Sequence, residues 1–229
     1  MNFAVSSYIP TIKALGFSRE KIRKQKDEIQ KQILIVTASD DRLDFEEEVH
    51  DIKGIISKHY KTISLTDRSK QEVLDQLRHS SIIHFACHGI SNSLDPSSSY
   101  LRLGNANEEL LTIDDLAKVK HDRAQLAYLS ACSTAENSAS HLIDEMIHLA
   151  NAFQQSGYPH VIGTLWEADN ECAAIVAKRF YESLLVTAPD NKWHNNIAYA
   201  LHEAVKTLMQ DKWFKEDYLA WAAFIHIGG

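Results

Sequence analysis

Cysteine is scarce in this chain, and its three residues stand far apart. Cys87, Cys132 and Cys172 are an odd number at wide spacing, which fits neither a disulfide framework nor a C-x-x-C metal knuckle or redox pair. Free thiols in a reducing compartment are expected, and with them a cytosolic or nuclear protein, the cytoplasm being the assigned location. Basic charge is also short. Lys and Arg number 24 against 31 Asp and Glu, a net charge of −7, so no basic patch exists to neutralise phosphates and no nucleic-acid partner is expected. Mild acidity suits a cationic ligand, although a balance this small serves mostly solubility. No apolar run approaches the ~20 residues of a bilayer crossing, and no membrane partner is expected. In the opening "MNFAVSSYIPTIKAL", a proline and polar breaks fall where the apolar region of a secretory leader would lie, so none is expected.

Glycine and proline are few, 8 and 4 among 229 residues. No internal repeat, low-complexity tract or Pro/Ser linker divides the chain, and 45% hydrophobic with 24% charged residues is an ordinary globular composition. Residues 1–229 are expected to form a single domain with a polar lead-in over 1–32, helical within "FSREKIRKQKDEIQKQ" (17–32). Several chemistries are missing their motifs. No G-x-S-x-G marks a serine nucleophile, and no Gly-rich phosphate loop follows a strand. The sixth residue after Cys132 is Ser138, where a cysteine phosphatase loop needs Arg. His141, Glu145 and His148 share one helix face, but such a stripe is more often a solvated face than a metal site, and no metal or organic cofactor is expected.

What is present is an alternation. Short apolar runs over 33–39, 61–67, 81–86, 125–131, 160–166 and 219–227 read as strands. Amphipathic stretches over 46–59, 70–79, 113–119, 140–156, 170–186 and 194–210 read as helices. A polar loop (91–99) and a hairpin turning at Gly104-Asn105 (100–112) interrupt the series. Strands alternating with helices imply crossovers, and hence an α/β fold: a three-layer α/β/α sandwich around a mainly parallel sheet. Sites in such sheets form beyond the carboxyl ends of the strands, which directs attention to the residues after "IIHFA", "LAYLSA" and "VIGTL".

After the first comes Cys87-His88-Gly89, and after the second Ala131-Cys132-Ser133-Thr134. On neighbouring strands, His88 and Cys132 would project from one sheet rim. A thiol needs a base or a positive neighbour to become a thiolate at neutral pH, and an imidazole can also protonate a leaving amine. The backbone N–H groups of Gly89 and Cys132 could form an oxyanion hole. The blander alternative is a small buried thiol and a turn glycine. Cys87 competes as nucleophile, but strand alternation points it away from His88. His84, inside the apolar run, reads as a hydrogen-bonded core histidine.

The motifs "HFACHG" (84–89), "LAYLSACSTAENS" (126–138), "HVIGTLWEAD" (160–169) and "WAAFIHIGG" (221–229) together resemble the CHAT family, caspase-like domains often attached to tetratricopeptide repeats. The likeness runs from about residue 5 to the C-terminus, is densest over 81–169, and looks most like fungal members; it implies a link to programmed cell death. It implies the caspase/separase-type fold and a cysteine endopeptidase, with His88 as base, Cys132 as nucleophile, and the Gly89 and Cys132 amides at the oxyanion. "SACST" stands where caspases carry a Q-A-C-R-G type motif, so aspartate preference does not transfer. The separase-like segment is "LWEADN", which implies that Glu167 or Asp169 reads a basic residue before the cut and that Trp166 walls the pocket. The alternative is that both acids simply begin the next helix, whose N-terminus favours them. The resemblance further implies a protein or peptide substrate and an upstream repeat or regulatory domain, this chain being the C-terminal part of a longer one. A catalytically silent caspase-like interaction module is the rival reading, since a fold outlives its activity.

Overall fold

The computed structural model describes residues 4–24, 32–39, 45–90, 95, 98–104, 109–130, 142–166, 168–187 and 196–229, with 142–148 described by their backbone. In chain order the elements begin with α1 (Ile12–Lys24), β1 (Gln32–Thr37), α2 (Glu46–Ile56), β2 (Lys61–Thr66), α3 (Lys70–Leu77) and β3 (Ile82–Ala86). There follow β4 (Gly89–Ile90), β5 (Tyr100–Arg102), β6 (Leu110–Thr112), α4 (Ile113–Ala117), β7 (Leu126–Leu129) and α5 (Leu142–Ser156). The last are β8 (His160–Thr164), α6 (Asn170–Thr187), α7 (Ile197–Gln210), α8 (Tyr218–Trp221) and β9 (Phe224–Gly228).

Six strands form one sheet in the order β2-β1-β3-β7-β8-β9. All neighbours run parallel except β9, which is antiparallel to β8. β1 and β3 are buried along their whole length because both faces are covered. Alternation sorts their side chains into two cores. Ile33 and Ile35 join Ile52 and Ile56 of α2, Phe180 of α6 and Leu201 of α7 on one face. Leu34 and Val36 join Val73 of α3, Phe153 of α5, and Leu101 and Leu111 of the small sheet on the other. The result is the expected three-layer α/β/α arrangement. The small sheet β4-β5-β6 is antiparallel and pairs the two arms of the expected hairpin; Asn105 of its expected turn lies outside the described residues.

Two expectations need correction. The apolar run 219–227 is strand only from Phe224. Its first part turns into α8 because the Asp217 carboxylate accepts from the N–H groups of Leu219 (3.1 Å) and Ala220 (3.3 Å), a helix cap. The lead-in helix starts at Ile12 rather than 17, where Thr11 Oγ1 accepts from Ala14 N–H at 3.1 Å.

Ahead of α1, the N-terminal segment lies along the outer edge of β9. Tyr8 pairs with Ile227 in parallel, with Tyr8 N–H donating to His226 O (2.8 Å) and Gly228 N–H donating to Tyr8 O (2.9 Å). Ser7 Oγ adds a bond to Gly228 O (2.6 Å) and lies 2.8 Å from His226 Nδ1. An otherwise open sheet edge is thereby covered. Ala4 and Ser6 reach Leu165, Trp221 and Ala222 around a cavity of about 230 Å³. Gly228 has φ +151°, and a Cβ there would meet Pro159 O at 2.5 Å, so only glycine fits.

Candidate active site

Parallel pairing of β3 with β7 ends with Phe85 opposite Leu129, and Ser130 N–H adds one more bond to Phe85 O at 2.9 Å. His88 follows Phe85 by three positions, and Cys132 follows Leu129 by three. His88 is described and fully buried. Its ring meets the edge of Phe45, the residue preceding α2, at a centroid distance of 6.4 Å. Cys132 lies outside the described residues, as do Glu167 and the backbone carrying His141; the side chains of Glu145 and His148 are likewise outside them. Among the described residues no group of three or more His, Cys, Asp or Glu is arranged to hold a metal, and no helix is long and apolar enough to cross a membrane.

Gly89 opens β4 opposite Leu101. Arg102 N–H donates to His88 O at 2.8 Å, which makes Gly89–Leu101 a non-hydrogen-bonded pair of the antiparallel ladder. The Gly89 N–H therefore points away from β5.

The two described cysteines are poor nucleophiles. Cys87 is fully buried on the opposite face, among Leu34, Val73 and Leu103, and burial pushes its thiol far above the ordinary range. The buried Cys172 is pushed up to about 12, first by burial and then by the negative charges of Asp169, Glu171, Asp217 and Asp211. Those four acids thus set a negative field at the start of α6. Asp169 is exposed, and its Oδ1 accepts from the N–H groups of Glu171 (2.9 Å) and Cys172 (3.3 Å). It caps α6, as the simpler reading of the sequence had it. Trp166 is half-buried and donates from Nε1 to Leu219 O at 2.8 Å, which ties the end of β8 to α8.

His84 is the buried, partnered core histidine that the sequence suggested. Its Nδ1 lies 3.3 Å from the Tyr181 hydroxyl, and its ring stacks on Tyr128 at 4.8 Å. Its Nε2 sits 3.0 Å from Glu48 Oε1, and Ser130 Oγ donates to Glu48 Oε2 at 3.0 Å. Glu48 was not anticipated. It stands in "EEEVH", which reads as a solvated acidic first turn, yet it is only 3% exposed. A signal was there: Glu48 lies four positions before Ile52 and so shares the apolar face of α2.

The sequence matches the family model described as CHAT domain over residues 1–229. The chain is a member of the CHAT family. No curated protein matches it. Among solved structures, the CHAT chain is similar to the Arg-specific cysteine proteinase gingipain R, with a TM-score of 0.60 at 10% identity over 93% of this chain and 51% of that one. The Porphyromonas gingivalis complex of RgpB pro- and mature domains gives a TM-score of 0.59 at 11% identity over 94% and 51%. A Saccharomyces cerevisiae separase–securin complex gives 0.57 at 16% identity over 97% of this chain and 14% of that one. The CHAT chain thus spans about half of each gingipain chain and far less of separase. At such identities these likenesses establish the fold alone, and that fold is caspase-like.

Proposed function

We propose that this CHAT domain is a cysteine endopeptidase with His88 as base and Cys132 as nucleophile. The observation that carries the reading is the β3·β7 register, which stops three positions short of His88 on one strand and three short of Cys132 on the next. Neighbouring strands are ~4.8 Å apart, and three residues reach at most about 11 Å, which supports one shared rim for the two residues. In the reaction, His88 takes the thiol proton and the Cys132 sulfur attacks the scissile carbonyl carbon. The oxyanion is received by the N–H groups of Gly89 and Cys132. Collapse expels the amine, which takes its proton from His88, and leaves a thioester. Water, deprotonated by His88, then releases the acid and restores the thiol. No metal or organic cofactor takes part.

A basic residue before the cut is the proposed preference. Its support is the group of acids Asp169, Glu171, Asp217 and Asp211 acting on Cys172 at the start of α6, together with the likeness to an Arg-specific cysteine proteinase. Asp169 and Glu167 would read the cation, and Trp166 would wall the pocket. The CHAT domain, 1–229, is further proposed to be cytoplasmic and to have access to its site regulated by upstream or partner domains; the securin-bound neighbour supports control by a protein partner. A fungal source rests on the wording of the motifs.

Full burial of His88 favours the second reading, a caspase-like interaction module that cleaves nothing. One experiment separates the two. A peptide library with Arg or Lys before the scissile bond should be hydrolysed by the wild type and not by Cys132→Ala at equal folded fraction, and a peptidyl thiol-directed warhead should label Cys132 while sparing Cys87 and Cys172. Hydrolysis unchanged in Cys132→Ala removes the mechanism, and absence of both cleavage and labelling favours the module.

A further inference from the structure

Beneath the rim that carries His88 lies a polar knot that the peptidase mechanism does not use. Glu48, His84, Tyr128 and Tyr181 are each at most 3% exposed and Ser130 is 6% exposed, all within an apolar core. A carboxylate sealed in such surroundings is costly, and stability alone is better served by an apolar side chain of the same volume. The geometry indicates a different use. The two oxygens of one carboxylate divide between two strands: Oε1 lies 3.0 Å from His84 Nε2 of β3, a close approach without hydrogen-bond geometry, and Oε2 accepts from Ser130 at the exit of β7 at 3.0 Å. His84 precedes His88 by four residues, and Ser130 precedes Cys132 by two. Register pairing between the strands ends at Phe85 and Leu129, and the last bond between them is Ser130 N–H to Phe85 O. The third contact of the same helix start is Phe45 against His88. The start of α2, from Phe45 to Glu48, therefore touches β3 at His84, His88 beyond its end, and the exit of β7 at Ser130.

We infer that Glu48 is a positioning residue, a buried clip which, through Ser130 and His84, fixes the separation of the β7 and β3 exits and so the alignment of Cys132 with His88. The catalytic consequence rests on the peptidase reading; the clip itself does not. Glu48 need not touch substrate. Its carboxylate ties the β7 exit at Ser130, which keeps a single backbone bond to the sheet at Phe85 O, to His84 within β3, and alignment of reacting groups acts on the chemical step more than on substrate binding.

Three variants test it: Glu48→Met, which keeps the volume and removes both contacts; Glu48→Gln, whose amide oxygen still accepts from Ser130; and Ser130→Ala, which deletes one hydroxyl and endangers folding least. Each is measured for kcat and KM on the best library peptide and for amide hydrogen exchange in the full chain. In Ser130→Ala and Glu48→Met, kcat should fall by about tenfold or more with KM within about twofold, and Glu48→Gln should recover most of the loss. Exchange should accelerate at Ser130 N–H and at Arg102 N–H, the donor to His88 O, and stay unchanged along β8. Wild-type kcat in Ser130→Ala and Glu48→Met overturns the inference, as does exchange at Ser130 and Arg102 that rises no more than in β8. Should Glu48→Met fail to fold, Ser130→Ala decides. Should the wild type neither cleave nor take the warhead, the peptidase reading falls, and the exchange pattern still decides whether the clip exists.

Discussion

The carboxylate of Asp169 holds the start of α6 with both backbone bonds on Oδ1, while the residue itself stays exposed. Capping and charge recognition can be separated, because Asn caps nearly as well as Asp but carries no charge. Asp169→Asn should leave the melting temperature close to wild type and lower kcat/KM for Arg-containing peptides by roughly 10–100-fold, the worth of one charge-assisted hydrogen bond. Asp169→Ala should add a loss of about 1 kcal/mol in stability. Thermal melts and kcat/KM ratios for Arg against norleucine substrates check both. Equal losses on the two substrates would assign Asp169 to capping alone. At this scale the sequence was informative where chemistry is local. Cys87 was discounted by alternation, and its burial agrees. Glu48 escaped because burial of the third acid in "EEEVH" depends on the helix's orientation against β3 and β7, which no neighbour in sequence encodes.

Elements were legible in proportion to how much of their cause is local. β1, β3, β7 and β8 stood out as short apolar runs because a strand covered on both faces has no polar side to show. α3 announces itself through Ser69 and Glu72, which form a reciprocal capping box. Ser69→Ala should cost about 1 kcal/mol, read as a melting-temperature drop of about 2–4 °C, without change in kcat; an unshifted melt would deny the box any role. β4 was not legible. Its two residues are a strand only because β5 lies beside them, a tertiary fact. α8 was misread although Asp217 ahead of "YLAW" is a helix-start signal. The apolar run that follows into β9 masked the cap.

At the β9 side of the molecule, inside the edge covered by the N-terminal segment, lies a histidine pair. His226 Nε2 lies 3.1 Å from His160 Nδ1, and both rings are buried. Burial holds the His226 pKa down at about 4 against an ordinary 6.5. Between these values the unfolded chain binds a proton that the folded chain refuses. The stabilisation is therefore complete above pH 6.5 and falls as pH drops toward 4, by roughly 3 kcal/mol in all. Urea midpoints of wild type and His226→Gln across that range check it, and a difference that stays flat would refute the assignment. The direction of the segment docked on this edge has a practical outcome. Because Tyr8 runs parallel to Ile227 while Gly228 faces His160 at the start of β8, a fluorophore or surface anchor joined after Gly229 departs from the blunt end of the sheet. Cargo spliced in before Ala4 emerges at the cavity lined by Leu165 and Trp221, where it would compete for space with anything trying to enter it.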